Sequence, residues 1–276
     1  MANGFFTDTT LCIGCKACEV ACKQWNQLPA DGYEFTGNSY DNTVALGGTT
    51  WRHVAFIEQA APLDRPPTEN KWLMMSDVCK HCTYAGCLEA CPTGAIVRNE
   101  FDDVYIQPDV CNGCGYCVPS CPFGVVDLIA HADYTEGRKF ESDGRSHDDA
   151  TQTAGGVAGK CTLCYDRQKV GFTPACAKAC PTESIQFGDV DELRARAKRR
   201  VAQLEARGVH SYLYGVGEDW SVGDLNAFFL LTDRPGAYNL PERPVLPSTH
   251  QPAGYTSAAL AAAALALAAF AIFRRA

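Results

Sequence analysis

Residues 111–122 read Cys111-Asn112-Gly113-Cys114-Gly115-Tyr116-Cys117-Val118-Pro119-Ser120-Cys121-Pro122. Three cysteines spaced by three residues, a fourth four residues on and a proline directly after it form a dense ligand run. Working outward, the same C-x2-C-x2-C-x3-C spacing occurs at Cys12, Cys15, Cys18 and Cys22. A looser copy lies at Cys79, Cys82, Cys87 and Cys91, followed by Pro92, and the most open at Cys161, Cys164, Cys176 and Cys180, followed by Pro181. The chain holds 16 cysteines in 276 residues, and these four groups use every one.

Such repetition needs a chemical reason. Zinc prefers four ligands in two separated C-x2-C pairs around a tetrahedron, whereas three thiolates within seven residues suit a larger polynuclear group. A disulfide framework belongs to small secreted domains, and C-x2-C pairs repeated this regularly serve it poorly. The spacing points to 4Fe-4S clusters, in which each iron takes one thiolate. Gly14, Ala17, Ala85, Gly86, Gly113 and Gly115, lying between ligands, let backbone amides approach the sulfurs. A proline after the last ligand fixes the chain direction and brings no amide N–H in need of a partner.

Residues 79–127 resemble a contiguous two-cluster ferredoxin, with Cys-Pro-Thr-Gly-Ala-Ile at 91–96 echoed by Cys-Pro-Phe-Gly-Val-Val at 121–126. In such proteins the fourth cysteine of each run serves the other cluster. The resemblance implies one cluster on Cys79, Cys82, Cys87 and Cys121 and one on Cys111, Cys114, Cys117 and Cys91. The outer motifs then pair with each other: Cys12, Cys15, Cys18 and Cys180 hold a third, and Cys161, Cys164, Cys176 and Cys22 a fourth. The fold class expected is α+β: two interleaved ferredoxin-like two-cluster 4Fe-4S modules plus a C-terminal single transmembrane helix. The outer module is split between residues 1–30 and 155–190, and the inner spans 76–130. Between them lie a partner-contact segment at 31–75 and an exposed insertion at 131–154; a helical extension at 189–232, a Pro-rich linker at 233–253 and the membrane helix at 254–273 follow.

The segments between the motifs read more weakly. Trp51 to Glu58, Ala95 to Arg98 and Val104 to Gln107 are short strands by their apolar and β-branched content. Trp51, His53, Phe56, Trp72, Met74 and Met75 read as packing residues, and His81 as a surface or outer-sphere histidine. Residues 131–160, rich in Gly, Asp, Ser and Thr, read as exposed, with Gly155 to Lys160 a loop one residue short of a phosphate-binding motif. Asp189 to Arg207 carries Leu193, Ala197, Val201 and Leu204 at helical spacing, with Asp189 and Glu192 as a capping pair, Gly208 as a stop and its basic residues on a solvated face. Prolines 235, 241, 244, 247 and 252 predict an extended surface linker.

From Gly254 to Phe273 no charge occurs, and 20 residues of helix span about 30 Å, the thickness of a bilayer core. Alanine dominates this stretch, which suits close packing against other membrane helices. Arg274 and Arg275 follow it, while Arg243 is the only lysine or arginine in the preceding nineteen residues, so the tip is expected in the cytoplasm and the cluster domain on the outer, periplasmic face. Met1 to Leu11 shows no cleavable secretory signal. A formal charge of −8 argues against nucleic acid as a partner.

No nucleophile-base pair or dinucleotide loop stands out, so no catalytic residue and no small-molecule substrate of its own are assigned. All sixteen cysteines are consumed as ligands, and the chain reads as a conductor. Ser76-Asp77-Val78-Cys79-Lys80-His81-Cys82, Cys111 to Pro119 and Trp51-Arg52-His53-Val54 resemble the iron-sulfur (beta) subunit of membrane-bound formate dehydrogenase, within the four-cluster subunits of molybdopterin oxidoreductases. The resemblance implies a molybdenum or tungsten pterin catalytic partner, a cytochrome b type membrane partner, and an outer position reached by export alongside the catalytic subunit. The same role in another molybdopterin oxidoreductase or a hydrogenase complex stays open, as does a redox sensor or scaffold.

Overall fold

The computed structural model describes residues 2–30, 43, 45–60, 71–129 and 156–274, with backbone alone at 250–253, 268–269 and 271–273. Its strands are β1 (Asn3–Asp8), β2 (Arg52–Gln59), β3 (Lys71–Val78), β4 (Ile96–Arg98), β5 (Val104–Ile106), β6 (Asp127–Ile129), β7 (Val157–Gly159), β8 (Ile185–Asp189), β9 (Tyr212–Tyr214) and β10 (Ala227–Leu231). Its helices are α1 (Ala17–Asn26), α2 (Gly86–Glu89), α3 (Tyr165–Gln168), α4 (Ala175–Ala179), α5 (Val190–Glu205) and α6 (Gln251–Phe273).

The main sheet joins distant parts of the chain in the order β8-β1-β10-β9. β1 runs antiparallel to β8 and parallel to β10, where Phe5 sits opposite Ala227 and Asp8 opposite Leu230. Strand alternation gives the sheet two working faces. Asp8 on one face receives Arg200 of α5 at 2.8 Å, whereas the Phe5 ring on the other lies 4.7 Å from the Arg52 guanidinium, toward the cysteines. Phe5, Phe6, Phe228, Phe229, Leu230 and Leu231 are fully buried and centre the core here.

α5 starts as its sequence dictates. Asp189 Oδ1 accepts the N–H groups of Asp191 at 3.0 Å and Glu192 at 3.1 Å, and Leu193, Ala197 and Leu204 face inward. Its basic residues are not merely solvated: Arg200 pairs with Asp8, Arg194 with Asp224 at 3.2 Å, and Arg196 donates to Gln186 at 2.8 Å. Asp189→Ala is expected to cost about 1 kcal/mol through loss of the cap, read as a lowered melting temperature with unchanged iron content.

Three other segments differ from the sequence reading. Residues 157–159, expected as loop, form β7, buried against β6 with Leu128 opposite Ala158, and Lys160 is buried too. Their alternation is masked because valine, alanine and glycine are all small. The rest of the stretch expected to be exposed, 131–155, lies outside the described residues. The Pro-rich stretch does not simply run extended, because Pro235–Tyr238 and Pro247–His250 are 3-10 turns and Tyr238, Leu240 and Leu246 are buried. Tyr214 further clamps it by donating to the Pro241 carbonyl at 2.7 Å. The last helix begins at Gln251 rather than Gly254, taking in Pro252, which is tolerated in a first turn. Among the described residues no helix is long and apolar enough to cross a membrane.

Candidate metal centres

The ligand loops share one backbone shape. The residue before the second cysteine has positive φ in all four: Gly14 (66°), His81 (46°), Gly113 (70°) and Leu163 (52°). Lys16 (58°) and Gly115 (76°), directly after the second cysteine of their motifs, are left-handed too. Left-handed residues alternating with right-handed ones turn successive N–H groups inward, a concavity that receives anionic groups, iron-sulfur clusters among them. At His81 and Leu163 the conformation costs of order 1–3 kcal/mol, so it persists only where surrounding structure imposes it.

The chain leaves three of the four motifs by the same turn. Gly94 N–H donates to the Cys91 carbonyl at 3.4 Å, Gly124 to Cys121 at 3.1 Å and Glu183 to Cys180 at 3.4 Å, with φ of 68°, 62° and 54° at the third residue. Each turn carries the proline noted in the sequence. In the first motif, which lacks the proline, Cys18 and Cys22 instead ride on α1.

The tertiary fold brings thiols from separate motifs side by side. Cys12, Cys15, Cys18 and Cys180 line one cavity with Val54, Ser76 and Ile185. Cys79, Cys82, Cys87 and Cys121 line another with His81, Val104 and Val126. Burial and then the nearby Cys161, Cys176 and Cys164 push the Cys22 thiol well up. Burial, Cys111, Cys114 and Cys91 act likewise on Cys117, raised to about 11. All sixteen cysteines are free of disulfides. Among the described residues no three His, Cys, Asp or Glu side chains converge on the point one bare ion would take; the thiols stand around the cavity walls instead. A wider open cleft lined by His210, Tyr212, Glu218, Trp220 and Asp233 contains no cysteine.

The donor set fits a thiolate-bound cluster. Burial pushes Cys18, Cys87 and Cys161 up to about 12, so as free thiols they are protonated at neutral pH and poor nucleophiles. A bound metal removes that proton outright. Hydrogen bonds already aim at the sulfurs: Leu163 N–H at Cys161 (3.3 Å), Ala158 N–H at Cys111 (3.4 Å) and Asn26 Nδ2 at Cys22 (3.6 Å). Thr93 and Thr182, each two residues beyond a fourth cysteine, set hydroxyls 3.6 Å from Cys91 and 3.7 Å from Cys180.

Several aromatic residues expected as packing support these loops. A Cβ on Gly14 would come within 2.6 Å of the Phe56 ring and 2.7 Å of Met74 sulfur, so both lie directly on the Cys12–Cys15 loop. Trp51 is buried and donates to the Gly48 carbonyl at 2.6 Å. His81, read as a surface or outer-sphere histidine, is fully buried with φ of 46° and lines the cavity of Cys79, Cys82, Cys87 and Cys121. Its Nδ1 accepts from Val104 N–H at 3.2 Å, which leaves the proton of the neutral ring on Nε2.

Among the described residues, the three most deeply buried cations, Arg52, Lys80 and Lys160, were not singled out from the sequence. Lys80 is ion-paired to Asp77 and lies over the rings of Phe123 and Phe229. Arg52 Nη1 donates to Ser76 Oγ at 3.2 Å, and the same hydroxyl is 3.2 Å from Cys18 sulfur. Lys160 donates to the carbonyls of Val104 and, at 3.0 Å, Cys161. Burial alone would lower its pKa, yet the adjacent Cys79, Cys87, Cys161 and Asp103 hold it above the ordinary lysine value. The available signal was a cation within a short apolar run beside a ligand, as in Val157-Ala158-Gly159-Lys160-Cys161.

Comparison with known proteins agrees with this chemistry. Two family models, each described as a 4Fe-4S dicluster domain, match residues 70–138 with 147–190, and residues 11–95. The formate dehydrogenase iron-sulfur subunit of Haemophilus influenzae is 37% identical over 243 residues, 86% of this chain and 68% of the relative. The formate dehydrogenase-O iron-sulfur subunit of Escherichia coli is 37% identical over 251 residues, 88% of this chain and 72% of the relative. The B polypeptide of the anaerobic dimethyl sulfoxide reductase of Escherichia coli is 32% identical over 200 residues, 70% of this chain and 76% of the relative. The chain therefore belongs to the family of formate dehydrogenase iron-sulfur subunits, and it is an electron-transfer protein that binds 4Fe-4S clusters.

Proposed function

We propose that this chain conducts electrons from a formate-oxidising subunit, bearing a molybdenum or tungsten pterin, to a cytochrome b type membrane partner. It does so through four 4Fe-4S clusters held on Cys12/15/18/180, Cys22/161/164/176, Cys79/82/87/121 and Cys91/111/114/117. The observation that carries this reading is that thiols from different motifs share common cavities, as a cross-ligated pair of modules requires. Each cluster, when bound, exchanges one electron with little change of shape. The protein supplies converging N–H groups that stabilise charge on sulfur and apolar walls that keep water away.

Contacts with the outside favour two ends. Of the sixteen cysteines only Cys15 and Cys114 are exposed, and they belong to different sets. Beside them stand exposed apolar side chains, Ile13 at the first and Val110 and Tyr116 at the second. Such patches at redox sites are the surfaces on which donor and acceptor dock.

The C-terminal helix supports a membrane anchor with the cluster domain on the outer face. Gln251–Phe273 is one continuous helix whose sequence carries no charge. Leu260, Leu265, Leu267 and Phe270 are exposed along it, and Arg274 follows.

Co-purification of the chain with its partners, then dye reduction driven by formate, tests the assignment. The expected result is a molybdenum- or tungsten-containing partner active on formate. A catalytic partner inactive on formate but active on another substrate, such as dimethyl sulfoxide, would overturn the formate reading while leaving the conductor intact.

A further inference from the structure

We infer that Arg52 and Lys160 are built-in potential-setting cations, each wedged between two neighbouring cysteine sets and raising the reduction potential of both clusters it touches. The inference rests on the four-set reading above and adds residues that are not ligands.

Arg52 sits at the start of β2, opposite Val78 and therefore beside Cys79 in the β2–β3 pair. It is 1% exposed. Its Nη1 is held by the Ser76 hydroxyl and carbonyl, at 3.2 and 3.3 Å, and its plane lies over the Phe5 ring. Among the described residues its Nε and Nη2 have no acceptor. Donors buried without a partner are costly, and each such case asks for an explanation. The groups around this guanidinium are Cys176, Cys18, Cys161 and Cys22, from two different sets. Sulfur of bound clusters is the acceptor chemistry that would complete it.

Lys160 repeats the arrangement one junction along. It is 2% exposed, between Cys161 of one set and the Val104 carbonyl, and Val104 walls the cavity of Cys79, Cys82, Cys87 and Cys121. Neither cation has an ion pair among the described residues, whereas Lys80 is neutralised by Asp77. Asp103 stands near Lys160 but not in ion-pair contact with it; buried lysine or arginine without a close ion pair is rare, so two at successive junctions point to a common negative counterpart. A cluster gains negative charge on reduction. A fixed positive charge in a low-dielectric site stabilises that reduced form and raises the potential. Placed between two clusters, it also screens their mutual repulsion when both are reduced.

The test is a potentiometric titration of the full chain, isolated anaerobically with its clusters and followed by electron paramagnetic resonance. In Arg52→Met, two of the four midpoint potentials should fall, with the reduced-to-oxidised ratio of those clusters at fixed potential dropping at least tenfold, or 59 mV for a one-electron couple. Lys160→Met should lower two potentials as well, one of them shared with the Arg52 variant. Arg52→Lys should restore most of the shift, because charge and not shape is the agent. Should Arg52→Met fail to fold, the Lys160 variant makes the same measurement at an independent site. Unchanged potentials, an equal shift of all four, or Arg52→Lys matching Arg52→Met would overturn the inference. A wild-type chain lacking four distinct cluster signals would instead sink the four-set reading beneath it.

Discussion

Cys121→Ser is expected to damage the cluster site of Cys79, Cys82 and Cys87 while leaving that of Cys111, Cys114 and Cys117, its own sequence neighbours, intact. The reason is placement: Cys121 lines the cavity of the former group, and Cys91 lies near Cys117 in the latter. Iron should fall by up to about four of about sixteen atoms per chain, or one cluster signal should change form. Electron flow from donor to acceptor should drop at least tenfold, because a conductor in series is limited by its worst link. Electron paramagnetic resonance with iron analysis reads the result. Loss of the signal belonging to Cys111, Cys114 and Cys117 instead would reverse the cross-ligation.

Stripping iron under anaerobic conditions is expected to abolish cooperative folding around the motifs. Cys18, Cys22, Cys79, Cys87, Cys117, Cys161, Cys164 and Cys176 are part of the buried core, yet apart from α1 and β3 the strands and helices near them, β4 to β7 and α2 to α4, are only three to five residues long. Elements so short cannot bury enough apolar surface to offset their own ordering. In small metal-dependent folds the binding free energy is folding free energy, and a domain's net stability is only about 5–15 kcal/mol. The stripped chain should lose its near-ultraviolet dichroism and its sharp melting transition, with both restored on anaerobic reconstitution with iron and sulfide. A stripped chain that melts like the loaded one would contradict this.

Much of the site was legible from spacing because ligand loops are local objects. Cys111 to Cys117 needs only its own glycines at 113 and 115 to turn N–H groups inward, and the Cys-Pro-x-Gly turns carry their own hydrogen bond. The α5 helix announced itself the same way, through Asp189 and a 3.6-residue apolar period. Lys160 escaped that reading because charged residues are ordinarily assigned to the surface; only tertiary neighbours explain why it is inside. The Pro-rich stretch misled for a related reason, since proline predicts backbone direction but says nothing of whether Tyr238 and Leu246 meet a core.

What the amino-acid order determined alone is the sulfur chemistry and the shape of each ligand loop, since both depend on residues a few positions apart and cost little chain entropy to assemble. What only the tertiary structure decided is which loops face each other. Parallel pairing of β1 with β10, with Phe5 opposite Ala227, closes a loop across most of the chain, and the enclosure of Arg52 between strands and thiols brings it to cysteines more than a hundred residues away. Such contacts are selected by how buried surfaces fit together, and that fit leaves no periodic mark in the sequence.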